Sequence, residues 1–548
     1  MRRCYYLTKI LSVLLLVGFG SNCSKSSKIN VEALNFSKIN LEALSPTVAK
    51  AWTDYYSILS SDRNLESLAL TAQFLHANDL YIQASTAYEE LIIQQPENEK
   101  WHYLLARIRQ DYGDTSGTLK HLQSVLQIDP SNAFAHLRIA DVLYKTGVIE
   151  EALKHYKQAS EAPLTSAHAL LGIARIQIDE NKLDQAIDSL EKAIKINPNL
   201  STAHSLLAST YESTGDLSSA EKALSRAQTT GRFLEPEDPW LDELNQHCFD
   251  LYKLQVTADK YFLAGYPEKA IQILKHSLSV APDDAQTMRD LAFAYFEMNQ
   301  DEEGIPLVRK SISIEPTNPD GYTALITVLS EKKLWKEANQ VVQDALKSIP
   351  NNVDIFQSAG IVYEGLKDYP NAELQYLKAL RVDPDDQRSN LLIGKFYFSQ
   401  EKPKTALPYL EKSRALKVTD SESRMILAKY YLSIADLRKA EPVVEELQAV
   451  TPTPADFEQE VMFFFFVQRG NQALTAQNTS EAERNYIQAL KIDKTHIGAR
   501  TNLIKCYLDS GRSKKAVETT RLGLEIAKKR SDIKAEEYFA NLLRQLET

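Results

Sequence analysis

Small and large apolar residues recur along this chain with a period of 34 residues. When each unit is numbered from its first helical residue, positions 8 and 20 are Ala or Gly in most units, and large residues, often Tyr, return at positions 11 and 24. Small side chains at two such positions let antiparallel helices approach closely, so each unit predicts a helical hairpin. Thirteen units begin at Leu65, Glu99, Ala133, Ala167, Ser201, Leu251, Ala285, Pro319, Val353, Gln387, Ser421, Phe463 and Ile497.

Residues that end helices also fall at fixed positions of the unit. Position 32 is often Pro, which stops a helix, and position 15 is often Gly or Asn, which accept the left-handed backbone found after a helix. The position 15 residues of these two types are Gly113, Gly147, Asn181, Gly215, Gly265, Asn299 and Gly511. Each unit therefore predicts a helix, a turn, a second helix and a second turn.

This pattern resembles the tetratricopeptide repeat family from residue 65 to about residue 530, although the Trp usual at position 4 is absent from every unit. The resemblance implies an all-α fold, a right-handed superhelical α-solenoid of about 13 helix-turn-helix units with a C-terminal capping helix. It also implies that positions 2, 5, 6, 9, 12 and 13 line a concave groove. Tyr363 and Tyr376 are then expected to fill helix interfaces rather than to form a site.

Two interruptions and two end segments complete the predicted organisation. We expect both interruptions to be weakly packed joints. The first, 233–250, is typical of a loop followed by an extra helical turn, and the alternative is that it caps the five N-terminal units. The second, 451–466, ends in a phenylalanine run that is also typical of a lengthened first helix packed on both sides. In the last helix, Tyr538, Leu542, Leu543 and Leu546 form the predicted apolar stripe. The predicted segments are a signal peptide at 1–22, a lipidated cysteine and tether at 23–64, units 1–5 at 65–232, an insertion at 233–250, units 6–11 at 251–454, units 12–13 with their preceding insertion at 455–530, and the capping helix at 531–548.

The N-terminal segment predicts export. Basic residues precede an apolar run from Ile10 to Val17, which is typical of a signal peptide and too short to span a bilayer. Cys23 and the polar residues after it resemble a bacterial lipoprotein signal, with Gly20 and Asn22 in place of the usual Leu and small residue. The resemblance implies a lipid anchor on Cys23 and, since no Asp follows it, an outer-membrane location facing the periplasm. Plain secretion is the alternative.

Composition and charge narrow the possible partners. The chain has 44% apolar and 25% charged residues and only 18 glycines, a composition typical of a soluble helical protein. Its formal net charge of −10 disfavours nucleic acid as a partner, because the phosphate backbone is also negative. Cys248 and Cys506 lie about eight units apart, so we expect both to be unpaired and buried.

Catalytic patterns are missing from the sequence. It contains no glycine-rich phosphate loop, no HExxH and no CxxC, and its ten histidines are scattered. Ser219 and Lys222 form an isolated SxxK that we interpret as coincidence. We therefore expect no enzyme, no catalytic residue, no metal and no cofactor.

The predicted groove positions carry a non-uniform charge. They are acidic and aromatic in the middle units and more basic from Gln387 onward, which favours a partner with a basic, apolar segment across the middle units. The alternative is that these charges only keep the protein soluble. The candidate groove residues are Glu212, Tyr252, Asp259, Phe262, Arg289, Phe293, Phe296, Glu297, Asp320, Asp354, Arg388, Lys395 and Lys429.

The functional hypothesis is a non-enzymatic scaffold, exported and lipid-anchored, that binds a peptide or helix of a partner protein. Its place would be a cell-envelope assembly for secretion, pilus formation or polysaccharide export. The alternative is a secreted or cytoplasmic adaptor that regulates an enzyme. The asparagine and lysine patterns of two known groove-binding modes, the chaperone-tail clamp and the asparagine ladder, are absent here, and only Asn502 stands at a ladder position.

Overall fold

The computed structural model describes residues 28–229, 235–417, 419–450 and 456–547. Within these ranges the regular elements are helices, and no strand occurs. The signal peptide and Cys23 lie outside the described residues. The predicted all-α architecture of helix-turn-helix units is confirmed.

Each predicted unit is a pair of helices. The first helices are α2 (Leu65–Ala77), α4 (Glu99–Asp111), α6 (Ala133–Lys145), α8 (Pro163–Asp179), α10 (Ser201–Thr214), α13 (Leu251–Leu263), α15 (Ala285–Glu297), α17 (Pro319–Glu331), α19 (Val353–Gly365), α21 (Gln387–Ser399), α23 (Ser421–Ser433), α25 (Asp456–Thr475) and α27 (Ile497–Asp509). The second helices are α3 (Tyr81–Gln94), α5 (Thr115–Ile128), α7 (Ile149–Ala159), α9 (Leu183–Ile196), α11 (Leu217–Thr229), α14 (Pro267–Val280), α16 (Asp301–Ile314), α18 (Trp335–Ser348), α20 (Tyr369–Val382), α22 (Pro403–Leu416), α24 (Leu437–Val450), α26 (Thr479–Ile492) and α28 (Ser513–Lys529). Outside the pairs lie α1 (Pro46–Asp62), α12 (Pro239–Leu244) and α29 (Ile533–Glu547).

The left-handed turn after each first helix is more regular than the sequence suggested. Position 15 has a positive φ in all thirteen units, including those without Gly or Asn there. The six exceptions in residue type are Asp79, Lys333, Lys367, Glu401, Ala435 and Gln477. The turn geometry is therefore imposed by the hairpin, because side chains that disfavour this conformation still adopt it.

Tyr363 and Tyr376 belong to the scaffold, as predicted. Tyr376 is fully buried, and a Cβ added to Gly360 would lie 2.3 Å from its ring, so glycine is needed for this close approach of two helices. The Tyr376 hydroxyl donates to Glu364, whose pKa is raised by burial. The Tyr363 hydroxyl accepts a hydrogen bond from Gln343 at 2.8 Å.

The chain divides into two compact units, Met1–Gln300 and Asp301–Thr548. In the first, the prediction of a tether at 23–64 is wrong for the described part. Helix α1 packs on the first hairpin through Trp52, whose ring stacks 5.9 Å from that of Phe74. Before α1, the region of the similar segments SKINVEAL (27–34) and SKINLEAL (37–44) contains three short 3-10 helices, Val31–Leu34, Phe36–Lys38 and Leu41–Ala43. Ile29 and Phe36 are buried. These residues cover the apolar face that the first repeat would otherwise expose.

In the second compact unit, the lengthened helix is confirmed. Helix α25 has 20 residues, and Phe463 and Phe465 are buried in two different apolar clusters on its two sides. The prediction of a weakly packed joint is therefore wrong for the described part of this interruption, residues 456–466, and residues 451–455 lie outside the described ranges.

The capping helix α29 is present, and the prediction is right for Leu542 and Leu546 but wrong for the aromatic residue of the stripe. Phe539 is fully buried against the last unit, whereas Tyr538 is 46% exposed. Leu542 and Leu546 pack beside Phe539, as the helical spacing of three and seven residues requires. Cys248 and Cys506 are both free and buried, as expected.

Candidate protein-binding surfaces

The predicted groove residues all lie on first helices, but their surroundings differ. Glu212 is on α10, Tyr252, Asp259 and Phe262 on α13, Arg289, Phe293, Phe296 and Glu297 on α15, Asp320 on α17, Asp354 on α19, Arg388 and Lys395 on α21, and Lys429 on α23. The acids among them, with Arg388 and Lys395, are exposed, and Phe262, Phe296 and Lys429 are half-buried. Residues from Asp320 onward belong to the second compact unit.

Helices α13 and α15 carry exposed and half-buried aromatic side chains at predicted groove positions. Tyr252 is 80% exposed and Phe293 is 53% exposed, which is unusual for large aromatic side chains in a packed repeat. The Phe293 ring lies 5.3 Å from that of Phe262, centroid to centroid. Together with Asp259 and Glu297, these three residues are called the aromatic–acidic surface.

The exposed charged side chains of the aromatic–acidic surface are carboxylates. Arg289, the one base predicted there, is only 9% exposed, and its guanidinium donates to Gln286 at 2.6 Å. Burial raises the pKa of the nearby Asp290, and the negative charge of Asp259 raises it further. Asp259 itself accepts a hydrogen bond from Gln255 at 3.2 Å and is exposed. The surface therefore presents carboxylates beside apolar rings.

The basic residues predicted in the second compact unit are partly compensated. Lys395 forms an ion pair with Glu422 at 2.5 Å, and Lys429 lies 3.4 Å from Glu460. Since each lysine faces a carboxylate of the following repeat, these positions do not form a surface of one sign.

The insertion after α11 occupies groove positions of the first three units, which the sequence analysis missed. Glu235 pairs with Arg138 at 2.6 Å and lies 3.4 Å from Arg107, while Glu243 pairs with Lys100 at 2.5 Å. These cations stand at groove positions 6, 9 and 2 of their units. We call residues Glu235–Asp250 the inserted segment and the first helices α2, α4 and α6 the N-terminal groove.

Two further side chains of the inserted segment contact the middle of the N-terminal groove. The hydroxyl of the fully buried Tyr103, at groove position 5, donates to Asp238. The ring of Trp240 lies 5.1 Å from the Tyr103 ring in an edge-to-face contact. The Phe249 ring makes a second ring contact, 5.8 Å from the ring of Phe74 on α2. Ring pairs add to the energy of area burial, so the segment has two aromatic anchors among its acids.

Main-chain groups of the inserted segment are also bound. The Asn78 side chain donates to the carbonyl of His247 and accepts from the amide of Phe249, each at 2.8 Å. The Tyr55 hydroxyl lies 2.9 Å from Nδ1 of His247.

The inserted segment also contacts Tyr261 of α13 and Lys269 of α14 through Asp242. Helix α12 is only six residues long, so these contacts and those to the groove, rather than helix length, hold the segment in place.

Burial and neighbouring charges shift the pKa values of the inserted segment. Burial would raise the pKa of Glu235, but the positive charges of Arg138 and Arg107 lower it below its usual value. Burial raises the pKa of Asp238. Burial lowers the pKa of His247 to about 4. The inserted segment is therefore held by ionised Glu235 and neutral His247 at neutral pH.

The prediction that residues 233–250 form a weakly packed joint is wrong for residues 235–250, while residues 233 and 234 lie outside the described ranges. Complementary charge was the signal that could have revealed the contact. The inserted segment is rich in acids, and Lys100, Arg107 and Arg138 occupy inward positions of units 2 and 3.

The described residues lack two features that would suggest other functions. Among them, no cluster of three or more His, Cys, Asp or Glu side chains is arranged to hold a metal ion. In the same ranges, no helix combines the length and the apolar character needed to cross a membrane.

Comparison with known proteins gives a family match and several distant structural matches. The tetratricopeptide repeat family model matches residues 110–176, 177–232 and 473–536. No curated protein sequence matches the chain. The structure of yeast Tom70 is similar at 15% identity, with 76% of this chain and 95% of that chain covered and a TM-score of 0.33. Human IFIT1, solved as a dimer with PPP-AAAA, is similar at 20% identity, with 70% and 90% covered and a TM-score of 0.33. MamA from Desulfovibrio magneticus RS-1 is similar at 18% identity, with 30% and 94% covered and a TM-score of 0.27. Matches at these values say nothing about function.

Proposed function

Because the chain is a tetratricopeptide repeat protein, and such repeats mediate protein–protein interaction, we propose that it is a non-enzymatic scaffold whose aromatic–acidic surface binds a partner protein. The partner would present a basic, apolar segment. The observation that supports this most is that Tyr252 and Phe293 are exposed on the same two helices as the exposed carboxylates of Asp259 and Glu297. Exposed aromatic rings supply affinity when they are covered, and the surrounding carboxylates select a basic partner and speed its association.

Site-specific photo-crosslinking tests the surface directly. A photoreactive phenylalanine analogue at Tyr252 or Phe293 is expected to crosslink to a partner that mass spectrometry identifies. The same analogue at Tyr369, an exposed residue of a second helix, is the matched control. Equal crosslinking of that partner from all three positions would place the contact elsewhere.

Charge reversal gives the second arm of the test. The double substitution Asp259→Lys and Glu297→Lys is expected to abolish binding of the crosslinked partner, and binding to the unaltered protein should weaken as salt rises. Glu221→Lys with Glu268→Lys changes the net charge equally on exposed positions of second helices and is expected to leave binding intact. Loss of binding in both double variants would indicate a non-specific charge effect.

We further propose that the protein is exported and anchored by a lipid on Cys23, in an envelope assembly for secretion, pilus formation or polysaccharide export. The support is the N-terminal sequence alone, with its basic residues, apolar run and cysteine. Labelled palmitate should be incorporated into the unaltered protein and not into the Cys23→Ser variant, and the labelled protein should sediment with outer-membrane markers. An unlabelled protein in the medium or cytoplasm would favour a secreted or cytoplasmic adaptor that regulates an enzyme.

A further inference from the structure

We propose that the N-terminal groove is a second binding site, that it takes an acidic segment with an aromatic side chain from a partner protein, and that the inserted segment is the chain's own competing occupant. The site is distinct from the aromatic–acidic surface, because it is formed by α2, α4 and α6 and its charge is of the opposite sign.

The cations of the N-terminal groove determine the chemistry of its occupant. The side chains of Lys100, Arg107 and Arg138 are 18%, 12% and 5% exposed, and each faces a carboxylate of the inserted segment. Removing the partner of a largely buried charge is costly, so an anionic segment is needed whenever this groove is filled. Tyr103 adds an apolar ring face at its centre, which an aromatic residue of the occupant covers, as Trp240 does.

The contacts of the inserted segment are of a kind that a second peptide can reproduce. Glu235 and Glu243 keep 48% and 39% of their side chains exposed, and the main chain is bound through Asn78 by one donor and one acceptor. A peptide strand of any protein offers the same main-chain groups. The segment also buries Leu244 and Cys248. The features that a partner segment would have to share are therefore its acids and its aromatic residues, Trp240 and Phe249.

Covalent connection gives the inserted segment an advantage over a free partner. A tethered ligand competes at an effective concentration in the millimolar range when its linker is short. A partner with the same contacts should therefore bind the unaltered chain weakly, and weakening the inserted segment should raise its affinity. An increase in partner affinity when the inserted segment is weakened would show that the segment competes for the groove. A segment that only completes the fold would give no such increase.

The test uses a fluorescent synthetic peptide of residues 235–250 with Cys248→Ser, titrated against the full chain by anisotropy. We expect it to bind the Glu235→Lys, Glu243→Lys double variant at least tenfold more tightly than the unaltered chain. Adding Lys100→Glu to that variant should abolish binding, and a peptide with Glu243→Lys should restore it. Equal affinity for the double variant and the unaltered chain, or affinity that survives Lys100→Glu, would overturn the proposal.

A second peptide tests the class of partner. It keeps the acids of the first peptide with Trp240 and Phe249, and it has Ser or Gly at all other positions. Affinity for the double variant within tenfold of that of the first peptide is expected, and loss of binding would overturn the assignment to acidic, aromatic segments. A stable dimer of the double variant in light scattering would instead identify a second copy of the chain as the occupant and refute a separate partner.

A measurement on the unaltered chain keeps the proposal testable if the variants misfold. Saturating peptide should increase hydrogen exchange of residues 235–250 several-fold while exchange of α15, which follows α13 and α14 in the chain, stays constant. No change at saturation would show that the inserted segment cannot be displaced. Because this experiment does not involve the aromatic–acidic surface, its failure leaves the function proposed for that surface untouched.

Discussion

The left-handed turn at position 15 allows one substitution to be tested in both directions. Gly147 has φ 81°, and a Cβ added there meets no atom within 4 Å, so Gly147→Ala changes backbone energy without changing packing. Ala435 occupies the same position of a later unit with φ 56°. Ala435→Gly is therefore the reverse experiment at an equivalent and exposed site.

The expected magnitude follows from two opposing terms. An L-residue in the left-handed conformation costs about 1–2 kcal/mol relative to glycine. Glycine in turn loses more freedom on folding, which offsets about 0.4–1 kcal/mol of that cost. Gly147→Ala should therefore destabilise its unit by about 1 kcal/mol, and Ala435→Gly should stabilise its unit by a similar amount.

Hydrogen exchange resolved to individual helices is the suitable assay, because a long repeat array need not unfold in one transition. A change of about 1 kcal/mol corresponds to a roughly fivefold change in the exchange rate of amides that open with the unit. Exchange should become faster in α6 and α7 of the Gly147→Ala variant and slower in α23 and α24 of the Ala435→Gly variant. Changes of the same sign in both variants would refute the assignment of the cost to backbone conformation.

Three further outcomes are expected. Gly360→Ala should destabilise its hairpin by about 1–3 kcal/mol in chemical denaturation, because the added methyl group meets the Tyr376 ring. Adding Tyr376→Leu to the same chain should recover part of this loss. Losses of stability that simply add in the double variant would contradict the contact between residues 360 and 376. Neutral His247 stabilises docking of the inserted segment above pH 6.5, and this stabilisation is lost as pH falls through its lowered pKa of about 4. Hydrogen exchange of residues 235–250 should therefore rise on acidification more in the unaltered chain than in a His247→Gln variant. Equal rises would contradict the role of this imidazole. Phe539→Ala should cost about 3–5 kcal/mol and speed exchange in α28 and α29, and unchanged exchange would mean that the last repeat does not need its cap.

The repeat architecture was predictable because its signals are local and repeated. A small residue at position 8 and a turn residue at position 15 act within a single hairpin, so thirteen copies of a weak pattern reinforce one another. The helix boundaries followed from the same spacing, and only α8 and α25 begin earlier than their predicted unit, at Pro163 and Asp456.

The inserted segment could not be predicted in this way. Its contact between Glu235 and Arg138 joins residues 97 positions apart, and no periodicity relates them. Two prolines and Trp240 marked the segment as irregular, but irregularity was wrongly taken for loose packing. The prediction of a tether before the first repeat was wrong for a similar reason. Trp52 contributes to packing only because its ring contacts Phe74 on the first hairpin, and no local pattern predicts that contact.

The two hydrogen bonds of Asn78 determine how the N-terminal groove would select a ligand. Asn78 donates to the carbonyl of residue 247 and accepts from the amide of residue 249, so it fixes the alignment of the bound segment without discriminating among side chains. With one end of the segment aligned, Lys100 and Arg138 lie at fixed distances from that end and require a carboxylate at each. Two peptides of identical composition would then differ in affinity if their carboxylates were spaced differently, and selection would depend on the order of residues rather than on net charge.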